Sequence, residues 1–266
     1  MKLSIEEQSY PKVVLKEEEG NDVIAKYLQE NRSFMVSRAG GTETKIISCL
    51  IHKKETIPDH LRNAALVLSG IFPNDERTLQ KFAYHYADCI RKVDLMGIWG
   101  IADYDWLVKT YCPDAQLTRL WGLEPHHHPN PWSRHLENKN VLVVHPFEQS
   151  IKNNYANRTK LFSNPKILPA FNLKTIKADQ NLNNKGSDYF ETIKKTQEKI
   201  SKVDFDVAII GCGASGLPLA SFVKSELNKA AVHLGGATQI LFGIRGKRWC
   251  PSSSRQVFFS NSSAGG

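Results

Sequence analysis

The sequence has few cysteines, and none of them lies in a pattern that binds metal or builds a disulfide framework. Five cysteines are scattered over 266 residues, and no Cys-x-x-Cys pair occurs. Because their number is odd and their spacing irregular, both a zinc knuckle and a disulfide-stapled secreted fold are disfavoured. Reduced thiols in a cytoplasmic protein are the simplest interpretation.

Long apolar stretches are also missing. The longest runs, at 141–144 and 207–210, have the length of a strand, far below the roughly 20 residues of a membrane-spanning helix. The first twenty residues lack the apolar core of a signal peptide. We therefore expect a cytoplasmic protein, with peripheral contact at the inner face of the membrane as the alternative location.

Basic residues outnumber acidic ones but are not clustered. The net charge of +8 favours anionic partners such as nucleotides, although it serves solubility equally well. No Lys/Arg tract interleaved with aromatic residues occurs, so nucleic acid is not an expected partner. Neither Ser133 nor Ser215 stands in a G-x-S-x-G sequence, which argues against hydrolase chemistry.

Segments typical of strands and segments with the 3.6-residue period of amphipathic helices follow each other along most of the chain. Residues 74–92 are the strongest amphipathic helix, and Asn74 is its expected N-cap. Strands are predicted at 33–38, 93–99, 115–123, 140–147, 166–171, 173–178, 205–211 and 230–236.

Alternation of this kind requires crossover connections between the strands. It predicts an α/β fold, Rossmann-like, with a mostly parallel sheet and helices on both faces. We expect a flexible lead-in at 1–20, a single domain at 21–249 and a Ser-rich tail at 250–266. Ligands of such sheets bind at the carboxyl ends of the strands, so the residues there are the candidates for function.

A G-x-G-x-x-G sequence, with Gly211, Gly213 and Gly216, stands between a predicted strand and a predicted helix. Such glycines let the backbone approach a phosphate, and the helix N-terminus offers free N–H groups. The acidic residue that a dinucleotide fold places on the ribose is missing, since the next strand ends in His233. We therefore favour phosphate binding over a nicotinamide cofactor, while a tight packing turn would use the same glycines.

A second glycine junction follows the strand at 33–38 and contains Arg38, Gly40, Gly41 and Glu43. An arginine at a strand end suits a diphosphate, because its guanidinium donates two parallel hydrogen bonds. Glu43 would hold a metal, act as a base or bind a sugar hydroxyl. Taken alone, a surface arginine and a carboxylate that complements the helix dipole explain both residues as well.

Three further features have both a functional and a structural interpretation. Asp103 and Asp105 form a D-x-D sequence whose oxygens suit Mg²⁺ or Mn²⁺, although helix capping explains them better. His145 ends a strand, where it is either a phosphate donor or general base, or a satisfied core histidine. The run 126–128 is three histidines between prolines, and we expect a loop there because adjacent histidines do not easily share one ion.

Three stretches, in their order along the chain, resemble a known family. SFMVSRAGGTE at 33–43 resembles the N-terminal turn of GT-D-type glycosyltransferases, 130–151 resembles their central strand and loop, and 205–249 resembles their C-terminal half. The family implies a Rossmann-like sheet and transfer of a sugar from a nucleoside diphosphate, typically in bacterial surface-glycan synthesis or protein glycosylation. The acceptor would be a glycan, lipid-linked or protein-linked.

Carried over to this chain, Glu43 matches the Glu of the family's D-x-E motif, whereas Gly41 stands where the family has Asp. A metal held by both acids is therefore excluded at this position, and Mn²⁺ or Mg²⁺ would need another ligand such as Asp103. The catalytic candidates are Glu43 and His145. The candidates for binding the donor and its phosphates are Arg38, Gly40, Gly41, Gly211, Gly213, Gly216, His233, Gly235, Gly236 and Gln239.

Two alternatives stay open beside the transferase, whose partners would be a nucleotide sugar and a glycan acceptor. One is an NAD(P)-dependent oxidoreductase, which the G-x-G-x-x-G sequence favours. The other is a non-catalytic module that binds a nucleotide or a glycan. Binding without turnover, and indifference to Glu43→Gln, would distinguish the module from the enzyme.

Overall fold

The structure is a computed structural model and describes residue 5 and residues 8–179 and 188–244. Eight strands of these residues form one sheet in which every pairing is parallel. Their order is β1-β4-β3-β2-β8-β7-β5-β6. The strands are β1 (Val14–Leu15), β2 (Met35–Ser37), β3 (Leu95–Ile98), β4 (Gln116–Arg119), β5 (Asn140–His145), β6 (Asn172–Lys177), β7 (Val207–Ile210) and β8 (Ala230–His233).

Helices cover both faces of the sheet. They are α1 (Glu17–Gln29), α2 (Gly41–Ile47), α3 (Asp59–Ala64), α4 (Glu76–Ile90), α5 (Tyr104–Tyr111), α6 (Glu148–Ala156), α7 (Tyr189–Ile200), α8 (Gly216–Ser225) and α9 (Ala237–Leu241). One hydrophobic core contains α2 to α5, α7 and α8, and a second contains α1, α6 and α9. The predicted fold class, a Rossmann-like α/β sheet with helices on both faces, is confirmed.

The alternation of side chains along a strand explains why the interior strands are apolar throughout. In β5, Leu142 and Val144 belong to the first core, while Val141 and Val143 belong to the second. Successive residues of a strand point to opposite faces, so a strand covered on both sides has no polar face. Of the described helices, none combines the length and the apolar character that crossing a membrane requires.

Three details differ from the predictions made from sequence. The lead-in assigned to 1–20 contributes β1, which pairs with β4, and the first turn of α1. The N-cap of α4 is Asp75, whose carboxylate accepts a hydrogen bond from the backbone N–H of Thr78 at 2.8 Å. Asn74 instead exchanges hydrogen bonds with Arg62 and so holds the end of α3. The predicted tail lies outside the described residues.

The strand predicted at 166–171 is also wrong. Its carbonyl groups bond to side chains instead of a neighbouring strand: the Ser133 hydroxyl donates to Ile167 O at 2.7 Å, and the Tyr155 hydroxyl donates to Phe171 O at 2.8 Å. Pro169, which has no N–H to donate, stands inside the segment. Polar side chains of the second core thus complete the backbone hydrogen bonds that a strand partner would supply.

A buried asparagine ties α1 to the loop before β5. Asn21 is fully buried; its Oδ1 accepts from the Trp132 N–H at 2.7 Å and its Nδ2 donates to Asn130 O at 3.0 Å. We expect Asn21→Ala to lower the free energy of unfolding by about 1–3 kcal/mol, because buried groups lose their partner. Urea unfolding measures this. Asn157→Ala, at an exposed asparagine, is the control, with a change within about 0.5 kcal/mol; equal effects would contradict the assignment.

Candidate functional site

The candidate residues from different parts of the sequence meet at the carboxyl edge of the sheet. Arg38 follows β2, His233 ends β8, Gly211 follows β7 and His145 ends β5, and these four strands are neighbours in that order. The chain leaves β2 toward α2 in the first core and leaves β8 toward α9 in the second. Because the two connections diverge, a crevice opens between β2 and β8, where doubly wound sheets bind ligands.

Arg38 lies in this crevice without an acidic partner. Its guanidinium carbon stands 4.8 Å from the centre of the Trp99 ring and lies against Gly235, whose φ is +57°. Nε of Arg38 is buried and has no hydrogen-bond partner, and no carboxylate of the described residues forms an ion pair with this side chain. A half-buried cation with an unpartnered donor is suited to an anion, because the ligand would supply the missing acceptor.

Two aromatic side chains hold the backbone next to Arg38. The Tyr104 hydroxyl accepts from the Ala39 N–H at 2.9 Å and donates to Gly97 O at 3.0 Å. The indole N–H of Trp99 donates to Ala39 O at 3.0 Å. Both peptide groups of Ala39 are therefore fixed from β3 and α5. Neither Trp99 nor Tyr104 was predicted from the sequence to support the site. The feature that could have indicated them is an aromatic residue just after the strand that neighbours β2.

Glu43, in the first turn of α2, is buried beneath the same loop. Its carboxylate lies on the Cα of Gly40, where any Cβ would collide with it. The phenols of Tyr86 and Tyr189 face this carboxylate; burial first, and its negative charge second, raise the pKa of Tyr86 well above the ordinary value. Within the described chain Glu43 accepts no hydrogen bond, so its oxygens are free for a ligand or a proton.

At Gly41 this chain differs from the D-x-E motif of the family that it resembles. The side chains around Gly41 limit the space for a larger residue. A Cβ at Gly41 would lie 3.2 Å from Cδ1 of Ile101 and 3.6 Å from the Trp99 ring. The contact with Trp99 is an ordinary van der Waals distance, so a larger side chain at this position would press mainly on Ile101. Gly41 thus packs next to Trp99, and the site lacks the second acid of the motif.

His233 joins β2 to the first turn of α8. Its Nδ1 lies 3.0 Å from the Ser37 hydroxyl, and the opposite edge of the ring lies on the Cα of Gly216, where a Cβ would collide with it. Burial first, and the neighbouring Arg38 cation second, lower the pKa of His233 to about 3. The imidazole is therefore neutral and part of the support of the crevice.

His145 is also buried and neutral, but its ring has one free nitrogen. Nδ1 accepts from the Phe147 N–H at 3.0 Å, and burial lowers the pKa of His145 to about 4. Since Nδ1 is occupied, the proton of the neutral ring resides on Nε2. This nitrogen makes no hydrogen bond with the described part of the chain, so the residue can donate to a ligand, whereas its basic lone pair is engaged.

Each glycine of the G-x-G-x-x-G turn has a packing reason. Gly211 lies against Thr238 and Gly235, Gly213 adopts φ +58° beside Ser69 O, and Gly216 carries the His233 ring. The turn therefore serves helix–strand packing, and phosphate binding by it stays a prediction. Across the crevice, Gly236 has open space above its Cα, and Gln239 on α9 is half-buried.

The D-x-D aspartates contact other parts of the protein, and metal binding by them stays a prediction. The Asp103 carboxylate accepts from the Ser48 hydroxyl at 2.6 Å and from Lys53 at 2.8 Å. Burial alone would raise the pKa of Asp103, but these hydrogen bonds hold it below the ordinary value. Asp105 turns to the Ser9 N–H at 3.3 Å. Asp103 precedes α5 without capping it, so the capping interpretation is corrected as well. Each carboxylate thus has at least one contact that a metal ion would compete with.

A cavity lies elsewhere in the molecule. It has a volume of about 260 Å³ and is lined by residues that include Arg134, Arg158 and Lys166. Its wall also contains Glu137 and Ala170, which precede β5 and β6. The cavity therefore lies at the amino-terminal edge of the sheet, whereas the candidate site is an open crevice at the carboxyl edge, where the uncompensated polar groups are.

The fold and this edge define a Rossmann-like α/β protein with its candidate site at the carboxyl ends of the strands. Residues 127–241 match the GT-D-like family, described as a GT-D fold-like domain. The chain thus carries a GT-D-like domain, and the resemblance seen in the sequence is confirmed. The match contains β5 to β8 with His145, Gly211 and His233, while Arg38 and Glu43 lie outside it. Comparisons with curated proteins and with solved structures found no match.

The buried neutral His233 predicts a pH-dependent stability. Its pKa is about 3 in the folded protein and about 6.5 when unfolded. Between these values the unfolded chain binds more protons, so stability falls as the pH falls through this window. From pH 7 to pH 5 this histidine alone should remove about 2 kcal/mol. We expect the difference in unfolding free energy between wild type and His233→Asn to narrow by that amount.

Urea unfolding at the two pH values measures the change, and other histidines cancel because both proteins contain them. His60 is exposed, so His60→Asn should show the same difference from wild type at pH 7 and pH 5. A His233→Asn difference that does not depend on pH would refute a neutral, buried imidazole.

Proposed function

We propose that this protein is a glycosyltransferase that moves a sugar from a nucleoside-diphosphate donor to a glycan, lipid-linked or protein-linked acceptor. The observation that carries the proposal is the half-buried Arg38, whose Nε has no partner and whose charge has no acid among the described residues. It stands at the switch between β2 and β8 in a fold that contains a GT-D-like domain. An anion with several oxygens is the ligand that this arrangement lacks.

The diphosphate lies between Arg38 and the turn Gly235–Gly236 in this proposal. Gly235 has a left-handed backbone, and a Cβ there would lie 3.6 Å from the guanidinium of Arg38, whereas Gly236 leaves space above it. Gln239 borders the same space from α9. Trp99 stacks on Arg38 from the other side and holds the guanidinium plane against the crevice. A planar, supported guanidinium binds two phosphate oxygens at once, which fixes the donor's orientation.

Cleavage of the glycosidic bond to the diphosphate leaves negative charge on the departing phosphate oxygen. Arg38 stabilises this charge, and because the arginine is positioned before the reaction, little reorganisation is needed. His145 donates from Nε2 to a phosphate or sugar oxygen; the occupied Nδ1 argues against its role as general base. Glu43, with free carboxylate oxygens, is the residue placed to accept a proton from the attacking hydroxyl or to bind the sugar.

The oxidoreductase is disfavoured by the end of β8. A dinucleotide fold needs a carboxylate there for the ribose hydroxyls, but the chain has His233, whose ring is bound to Ser37 and covered by Gly216. The glycines that gave this alternative its support all make packing contacts. A protein that binds the donor without turning it over would keep the same geometry, so the tests separate binding from catalysis.

The first test measures nucleotide binding by thermal shift with UDP, GDP, CMP, dTDP, NAD and NADP, each with and without Mn²⁺. We expect one nucleoside diphosphate to stabilise the protein. We expect Arg38→Ala to weaken that binding about 10- to 100-fold, because charged hydrogen bonds contribute about 1.5–3 kcal/mol. Arg77→Ala, at an exposed arginine of α4, should bind like wild type. Stabilisation by NAD or NADP alone would overturn the transferase and restore the oxidoreductase.

The second test concerns Glu43. We expect Glu43→Gln, which removes the charge and keeps the shape, to lower kcat for release of nucleoside diphosphate about 10²- to 10⁴-fold. The Kd for the same nucleotide should change little, because the diphosphate is bound by Arg38. Glu198→Gln, at an exposed glutamate of α7, is the matched control. Nucleotide binding without turnover in the wild type, or full activity of Glu43→Gln, would favour a binding module.

A further inference from the structure

A histidine pair and a glutamate meet in the turn that follows β4. Glu124, His126 and His127 each place one ligand atom so that the three atoms lie within 4.8 Å of one another. The residues belong to the short 3₁₀ turn Pro125–His127 and the residue before it. The sequence predicts only a loop here, since adjacent histidines rarely share an ion. The turn overcomes this by directing both Nε2 atoms at a single carboxylate oxygen.

The separations match the edges of a tetrahedral coordination shell. Nε2 of His126 lies 3.4 Å, and Nε2 of His127 lies 3.3 Å, from the same Oε2 of Glu124. A tetrahedral zinc ion with bonds of about 2.0–2.1 Å has ligands about 3.3–3.4 Å apart. The two separations from Glu124 therefore fit the ligands of one shared cation, and all three ligand atoms lie within 4.8 Å of one another.

The cluster is partly shielded from solvent. Nδ1 of His126 is buried and has no hydrogen-bond partner in the described structure. The two imidazoles stand with ring centres 4.2 Å apart. The Glu124 side chain is only 9% exposed and that of His127 is 33% exposed. The site is thus shielded but open on one side.

The third histidine of the run does not belong to the site. Nδ1 of His128 faces a Glu18 carboxylate oxygen at 3.3 Å, and Nε2 lies 2.9 Å from Trp121 O. Both of its nitrogens are therefore in use. This contrast separates the pair that converges on Glu124 from a histidine that only fastens α1 to the loop.

We propose that Glu124, His126 and His127 bind a divalent transition-metal ion, with Zn²⁺ preferred over Mg²⁺. Two imidazoles and one carboxylate suit Zn²⁺, whereas Mg²⁺ prefers oxygen ligands alone. Three protein ligands leave a fourth position for water or a ligand. The turn that carries His126 packs against α9, so the ion stands at the flank of the crevice. The proposal does not rest on glycosyl transfer.

The test is calorimetric titration of the full, reduced protein with ZnCl₂ after removal of metals by a chelator. We expect one Zn²⁺ per chain and no saturable heat with MgCl₂ at the same concentrations. Glu124→Gln and His127→Ala should each raise the Kd for Zn²⁺ at least tenfold, since each removes one of three ligands. His60→Ala, at an exposed histidine outside the cluster, should bind like wild type.

A second readout uses Trp121, which is 57% exposed and stacks on His127 with ring centres 5.0 Å apart. Zn²⁺ should change the tryptophan fluorescence of the wild type, and the change should be lost in Trp121→Phe although the Zn²⁺ stoichiometry is kept. Far-ultraviolet circular dichroism shows that each variant is folded. Zn²⁺ binding that is unaffected by both Glu124→Gln and His127→Ala, or no binding by the wild type, would overturn the proposal.

Discussion

The candidate site exists because β2 pairs with β8. Their parallel register places Val36 opposite Val232, and the Ala231 N–H donates to Phe34 O at 2.8 Å. This ladder joins a strand from the first forty residues to the last described strand, and so brings Arg38 beside Gly235. His233 on β8 strengthens this pairing, because its ring contacts Ser37 on β2 and packs on Gly216 at the start of α8. The region that matches the GT-D-like family includes β8, whereas Arg38 and Glu43 follow β2 and lie outside that region.

Where β2 and β8 pair, the more deeply buried side chain is neutral and the less buried one is charged. His233 lies deepest and is neutral, because burial and the nearby Arg38 both disfavour its protonated form. Arg38, which stays charged, is half-buried and its charge is delocalised over a weakly hydrated plane that an aromatic ring can cover. Fixed N–H donors and a cation in a partly desolvated crevice bind anions more strongly than the same groups in water. At the pairing of β2 and β8 the buried histidine is therefore uncharged, while the open side of the site carries the positive charge of Arg38.

Local sequence pattern predicted the fold class and most helices and strands, because periodicity reports which face of an element is buried. It also placed Arg38, His145 and His233 correctly at strand ends. It missed what depends on contacts between distant residues. Trp99 and Tyr104 gain their role from contacts with the loop after β2, and Asp103 is bound by Lys53, which lies about fifty residues away in the sequence. The cluster of Glu124, His126 and His127 was not predicted for a similar reason. The 3₁₀ turn, rather than the spacing of the residues, makes the adjacent histidines converge.

The glycine at position 41 connects these observations. A Cβ at position 41 would be in ordinary van der Waals contact with the Trp99 ring and would lie 3.2 Å from Cδ1 of Ile101, so a larger side chain there would require Ile101 to shift slightly. Where the resemblance to the GT-D-type family would place an aspartate, this chain has a glycine next to an arginine that an aromatic ring supports. An arginine contributes positive charge to a diphosphate without an exchangeable ion. The absence of an acid at position 41 and the presence of the Arg38–Trp99 pair therefore act in the same direction, because both favour an anion at this part of the site.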